Sequence, residues 1–227
     1  MNEADPPIRD AASILVLRRD PQGAHVLMGM RGKAAVFMPS KFVFPGGAVD
    51  AGDSAIPLAR PLAQAHRDRL MAEPRAGIAA PDAIAAAALR ELAEETGLLI
   101  GRPGSGGPAG FAEAGLAPDA GALSYLFRAI TPPGRPRRFD AHFFVAEATD
   151  IAGDPDDFSA ACDELSHLHW VALAEARSLD LPFITEVVLA ELAELAGQVR
   201  WDEALPLPAS VPFFDNRGHA PRFVQIA

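Results

Sequence analysis

The chain has 227 residues, 49 % of them hydrophobic, and a formal net charge of −10 at pH 7. That length and apolar content suit one sizeable domain, residues 1–227, with its own core. The acidic balance argues against an extended nucleic-acid surface, whose footprint is basic. Cys162 is the only cysteine, which excludes an intrachain disulfide framework and a cysteine-built zinc centre and leaves it an incidental thiol.

Residues 1–10 carry charges and two prolines but no apolar stretch of the kind a secretory leader needs. No apolar run reaches spanning length, so a cytoplasmic protein without a membrane partner is expected. Residues 12–17 form a short apolar run, Pro21, Gln22 and Gly23 a turn, and residues 25–30 the returning strand of a hairpin. Phe42, Val43 and Phe44 then run into Pro45-Gly46-Gly47, a turn where backbone can approach a ligand closely. Residues 54–80 read as an inserted segment, with a helix over 58–71 around Pro61 and a connector over 74–81.

Pro81 suits a first helical position, Asp82 the electropositive first turn, and the alanine-rich run behind them favours helix up to Gly97 as its terminating residue. Residues 101–110 (GRPGSGGPAG) read as a flexible surface loop. They lack the lysine and hydroxyl residue that a phosphate-binding loop places after its glycines. Residues 141–148 are expected as a buried strand, 168–173 as a shorter one, and 181–199 as an amphipathic helix opening near Pro182. The segment 205–227, rich in proline and aromatics, is expected to lie over the domain surface, and no internal repeat is visible.

The chemistry concentrates on the helix ending at Gly97. Glu91, Glu94 and Glu95 stand at i, i+3 and i+4 and so share one helix face. Like charges at that spacing repel, which a solvated face tolerates at a cost of about 0.2–0.5 kcal/mol per pair. A hard divalent cation turns the same repulsion into a binding site, because Mg²⁺ takes carboxylate oxygens and shares itself with substrate phosphates. Arg90 can pair with Glu94 at i+4 and hold a carboxylate in place.

Gly46 and Gly47, a spaced acid, and then Arg90, Glu91, Leu92, Glu94, Glu95, Gly97 and Leu98 together resemble the Nudix hydrolase box. The spacing from Gly47 to Arg90 is longer than the usual pattern, and either Asp53 or Asp82 could take the upstream acid. Arg31, Phe37-Met38-Pro39, residues 42–47, Val49-Asp50, Asp53, Arg137-Arg138-Phe139-Asp140, Phe143-Phe144 and Leu181-Pro182 look like the Nudix branch whose box carries a long insertion, over residues 11–200.

The resemblance implies an α+β fold, the Nudix α/β/α sandwich with a mixed sheet. It implies metal-dependent hydrolysis of a diphosphate linkage in a nucleoside diphosphate derivative. Coenzyme A or acyl-coenzyme A leads; ADP-ribose, a nucleotide sugar or a dinucleotide follows. A binding module on the same fold, with catalysis lost, is a third reading. The implied cofactor is Mg²⁺ or Mn²⁺. Glu94 and Glu95 would be its ligands with the Gly46 carbonyl, Glu91 either a ligand or the base, and Arg90 an orienter of the carboxylates. A homodimer is the family's common habit.

Other candidates lie outside the box. Glu164 precedes a strand where some Nudix enzymes supply an additional acid, and a solvated loop charge is its plain alternative. Arg31, Arg137 and Arg138 are candidate substrate contacts, since guanidinium pairs bidentately with phosphate. His167 and His169 fall on the same face of the expected strand, which could suggest a metal pair, but without a third ligand nearby they read as surface histidines. Tyr125, Phe127 and Phe139 could stack on an adenine but match core positions better.

Overall fold

The computed structural model describes residues 6–32, 39–218 and 220–227. Phe37 and Met38, and residues 1–5 of the N-terminal stretch, lie outside the described residues. Strands β1 (Ile8–Asp20) and β2 (Gly23–Arg31) form the expected hairpin, with Asp20 opposite Gly23. The Asp20 carboxylate accepts hydrogen bonds from the Gln22 and Gly23 amides, at 2.8 and 3.0 Å, which fixes the turn. Two short strands follow: β3 (Phe42–Val43) pairs with β2, and β4 (Gly46–Ala48) pairs with β1.

A 3-10 turn (Ala51–Ala55) leads into helix α1 (Gln64–Ala72) and helix α2 (Pro81–Thr96). Strands β5 (Leu99–Pro103), β6 (Leu116–Pro118), β7 (Ser124–Ile130), β8 (Arg138–Glu147), β9 (Ile151–Ala152) and β10 (Leu165–Ala172) come next. Helix α3 (Phe183–Gly197) and strands β11 (Val211–Asp215) and β12 (Arg222–Ile226) close the chain.

The main sheet runs β10-β2-β1-β8-β7-β11-β12. It is mixed, because β1 lies antiparallel to β2 and parallel to β8. Strand periodicity explains the layers. Ala12, Ile14 and Val16 point to one face and pack with Ile84, Ala88, Leu89 and Leu92 of α2. Leu15 and Leu17 point to the other and pack with Val188, Leu189 and Leu192 of α3. All five β1 residues are fully buried, so the central strand reads as a continuous apolar run. The result is the α+β sandwich that the resemblance implies.

Helix α2 begins with Pro81 and ends where Gly97 takes φ +77° and donates its amide to the Ala93 carbonyl, as expected. Three other expectations need correction. The helix expected over 58–71 starts only at Gln64, because Pro61 lacks an amide donor and disfavours helical geometry at Arg60. The expected loop 101–110 gives its first three residues to β5, which pairs with β6 and β9 in a small separate sheet. The segment 205–227 does more than cover the surface: β11 pairs in parallel with β7 and β12 extends the sheet, with Val211 and Phe213 fully buried.

Candidate active site and metal centre

Helix α2 delivers its carboxylates beneath the turn between β3 and β4. The Gly46 amide donates to Glu95 Oε2 at 2.8 Å. At Gly47 a Cβ would collide with the Glu91 carboxylate, so a larger residue there would displace that carboxylate from beneath the strand. Arg90 ties the arrangement together. Its Nε and Nη2 hold both Asp53 oxygens at 2.8 and 3.1 Å, and Nη1 reaches Glu91 at 2.7 Å and Glu94 at 3.2 Å. A further bond from Nη2 to the Ala48 carbonyl, 3.1 Å, anchors the guanidinium to β4.

Asp53 is 2 % exposed and is therefore the acid that serves Arg90. Asp82 instead pairs with Arg67 at 2.6 Å and accepts the Leu62 amide, tying α1 to the start of α2. Contact separates the two aspartates: Asp53 pairs with Arg90 beside the glutamates, and Asp82, on the first turn of α2, pairs with Arg67 of α1.

The charge states of the glutamates differ with their depth. Burial pushes the Glu95 carboxyl up to about 8, and the Glu91 and Glu164 charges add to the rise. Burial also raises Glu91, which Arg90 only partly offsets. Glu94 lies 46 % exposed on the rim. Arg31 pairs with Glu164 at 2.7 Å, and both act electrostatically on Glu95, so the two sequence candidates sit beside the cluster. The Arg31 Nε is buried with no hydrogen-bond partner among the described residues.

The dibasic candidates fall elsewhere. Arg138 aligns with Ile8 on β1, whereas Gly46 lies opposite Ser13, five positions along; at the rise of a strand that is about 16 Å. Arg138 is buried and donates to the carbonyls of Thr131 and Asn216, so a role as a phosphate contact is corrected to a structural one. Arg137 is exposed immediately before β8. Tyr125 and Phe127 are fully buried in the core and closed to any ligand. His167 and His169 do not share a regular strand face, because a bulge separates Ser166 from His169 in the pairing with β2.

A second polar cluster escaped the sequence reading. Asp10, Asp140 and His142 are buried and bring one ligand atom each within 4.8 Å of one another, a set capable by distance of coordinating a divalent metal. Among the described residues no other three His, Cys, Asp or Glu side chains converge so closely, the box glutamates included. Charge separates the two sets. Arg128 holds both Asp140 oxygens at 2.8 and 2.7 Å, and Arg75 bonds Asp140 and Asp10. Two arginines thus already balance two aspartates, and a dication added there would leave buried positive charge without a partner. At the box, Glu95 is buried and Glu91 half-buried, burial raises both carboxyls, and Arg90 is already shared with Asp53, so a hard cation would supply the positive charge their ionised forms lack.

The second cluster has a structural task. Asp10 also accepts the Ala79 amide at 2.8 Å, which anchors the connector just before α2 to β1. Nothing local in the sequence marks it, since Asp10 lies 65 or more residues from Arg75, Ala79, Asp140 and His142.

No family model matches the chain. It is 27 % identical over 216 residues to a Caenorhabditis elegans protein named as nudix hydrolase 7, covering 86 % of this chain and 62 % of that one. The chain therefore spans about 62 % of the length of that curated relative. The crystal structure of a NUDIX hydrolase from Alicyclobacillus acidocaldarius is similar at 29 % identity with a TM-score of 0.63, over 87 % of this chain and 98 % of that chain. The M. smegmatis Nudix hydrolase RenU aligns at 18 % identity and a TM-score of 0.49, over 87 % and 89 %.

Proposed function

We propose that this chain, which belongs to the Nudix hydrolase superfamily, is a metal-dependent diphosphatase acting on coenzyme A or an acyl derivative. The observation that carries the reading is the pair of carboxylates beneath Gly46 and Gly47: buried Glu95, which accepts the Gly46 amide, and half-buried Glu91, which Arg90 orients. The reading takes residues 1–227 as one Nudix domain with residues 54–80 inserted in the box.

Glu91, Glu94 and Glu95 would hold Mg²⁺ or Mn²⁺, with the Gly46 carbonyl as a further ligand. A cation bound there supplies charge neutralisation of the diphosphate and a lowered pKa for the attacking water. The reaction is in-line attack of that water on one phosphorus, with the bridging P–O bond breaking as the new one forms. Arg90 works by position: bonded to Asp53 and Ala48, it fixes Glu91 so that no reorganisation is needed during reaction. Arg31, whose charge acts on Glu95, would meet a substrate phosphate. Glu164, its ion-pair partner, holds it there.

ADP-ribose, nucleotide sugars and dinucleotides follow as substrates of the same machinery, and exposed Arg137 is the remaining dibasic candidate for the extra 3′-phosphate of coenzyme A. The test is product release across a panel of diphosphates with Mg²⁺. The expected result is 3′,5′-ADP and phosphopantetheine from coenzyme A, at a higher kcat/KM than for ADP-ribose. Equal turnover of coenzyme A and dephospho-coenzyme A would remove the 3′-phosphate from the recognition.

A further inference from the structure

Between β9 and β10, residues 153–164 cross the C-terminal end of α2 as a strap. They carry five acidic side chains, Asp154, Asp156, Asp157, Asp163 and Glu164, and no basic one. The helix end beneath is itself negative, since it combines the dipole's C-terminus with the box glutamates. Like charge would lift such a segment away, so its docking needs specific contacts.

The backbone supplies the first of them. The Cys162 amide donates to the Glu94 carbonyl at 3.0 Å. That carbonyl lies in the last turn of α2 and has no donor within the helix, because the Leu98 amide turns instead to Thr96 Oγ1 at 3.1 Å. The strap therefore caps the turn that displays Glu94 and Glu95. At Gly97 an added Cβ would lie 3.0 Å from the Ala160 Cβ and 3.1 Å from the Ala160 carbonyl carbon, so strap and helix end are in direct contact. Phe158 packs into the core layer shared by β1 and α2.

Two arginines pin the side chains. Arg31 holds Glu164 at one end, 2.7 Å away. Towards the other end Arg18 donates to Asp156 Oδ1 at 2.8 Å, with its guanidinium carbon 4.0 Å from the centre of the Trp170 ring. Arg18 continues the β1 face of Ala12, Ile14 and Val16, which α2 covers, and Trp170 packs against the same layer. Arg18 thus reaches the strap from the sheet on the side of the carboxylates.

Docking brings Glu164 to where its charge acts on both Glu91 and Glu95. Negative charge held against the glutamates is unfavourable without a cation and favourable with one. We propose that docking of the strap and binding of a divalent cation at the α2 glutamates are linked, each strengthening the other, and that Arg18 is the positioning residue that holds the strap down. The linkage rests on the reading that these glutamates hold the metal. It is reciprocal by thermodynamic necessity, so it can be measured from either side and without substrate.

The test is hydrogen exchange at the Cys162 amide, read by NMR in Mg²⁺ and in EDTA, with Mn²⁺ affinity measured separately. In wild type Mg²⁺ should slow that exchange by about fivefold or more, and in Glu91→Gln/Glu95→Gln it should have no effect. Arg18→Gln should speed exchange in EDTA and weaken Mn²⁺ binding, each by about threefold or more, while the Ala86 and Ala87 amides inside α2 exchange as before. Asp156→Asn, at an exposed position, removes the ion pair and leaves Arg18 over Trp170, so both readouts should move the same way by less. Faster exchange in Arg18→Gln with unchanged Mn²⁺ affinity would make Arg18 merely structural and overturn the proposal. Wild-type exchange that ignores Mg²⁺ while Mn²⁺ is bound at the glutamates would also overturn it and leave the metal reading standing. If wild type binds no Mn²⁺ at the glutamates, the metal reading falls and the linkage falls with it.

Discussion

Glu95 carries the charge that the fold accommodates least well without a cation. Its carboxyl lies near 8 in the native state through burial, against 4.5 for the free group. Between those values the unfolded chain has released the proton while the native protein keeps it. The contribution to stability is therefore full below about pH 4.5 and is lost as pH rises through 8, on the order of a few kcal/mol. In EDTA the wild type should show a Tm that falls between pH 5 and 8.5, and Glu95→Gln should flatten that slope. Mg²⁺ should raise the wild-type Tm far more at pH 8.5 than at pH 5; a shift independent of pH would mean that Glu95 is not a ligand. For catalysis, Glu95→Gln keeps the shape and removes the charge, so kcat should fall by about 100-fold or more with the fold intact. Glu164→Gln, which removes the partner of Arg31 and one neighbouring charge from Glu95, should cost much less. Equal and severe losses would place Glu164 on the metal.

At the scale of elements, two ion-paired tethers fix where α2 lies. Arg90–Asp53 joins its C-terminal half to the 3-10 turn, and Asp10 with Arg75 holds the connector at its N-terminal end. Burial raises the Asp10 and Asp140 carboxyls, but neighbouring His142, the Ala79 amide and hydrogen bonds from Arg75 and Arg128 outweigh it, and both end below the ordinary aspartate range. Their contribution is present above the unfolded aspartate value and is lost as pH falls through the native ones. Asp140→Asn leaves Arg128 buried without its carboxylate and should lower stability by about 3–5 kcal/mol at pH 7 while making acid unfolding less steep. Urea unfolding at pH 7 and pH 3 measures both effects. The helix itself was legible: Pro81, the alanine run and Gly97 are local signals, and they set its ends correctly. The Arg90–Asp53 bond was not, because two aspartates fit the stretched spacing and only tertiary contact chooses between them. The Asp10–Asp140–His142 cluster left no local trace either, being assembled by the parallel pairing of β1 with β8.

Across the whole molecule, β1 is the organising strand, with one face committed to α2 and the other to α3. Its apolar run was readable from sequence, as was the hairpin that follows it. The sheet order was not, since pairing β11 with β7 joins segments about eighty positions apart and no periodicity encodes that. Val211 and Phe213 show what this pairing contributes: both are fully buried, at about 1.5–3 kcal/mol each. Deleting residues 205–227 should therefore lower Tm markedly or abolish cooperative unfolding, whereas a tail lying loosely on the surface would be removed with little change. Among the described residues no helix is long and apolar enough to cross a membrane. The central claim is that the buried glutamates of α2, and not the arginine-balanced aspartates of β1 and β8, hold the catalytic cation. The most direct measurement is Mn²⁺ binding, followed by electron paramagnetic resonance, in wild type, Glu91→Gln/Glu95→Gln and His142→Gln. The account predicts that the double glutamate variant loses the bound Mn²⁺ signal together with diphosphatase activity, while His142→Gln keeps both. Loss of binding in His142→Gln with retention in the glutamate variant would contradict it.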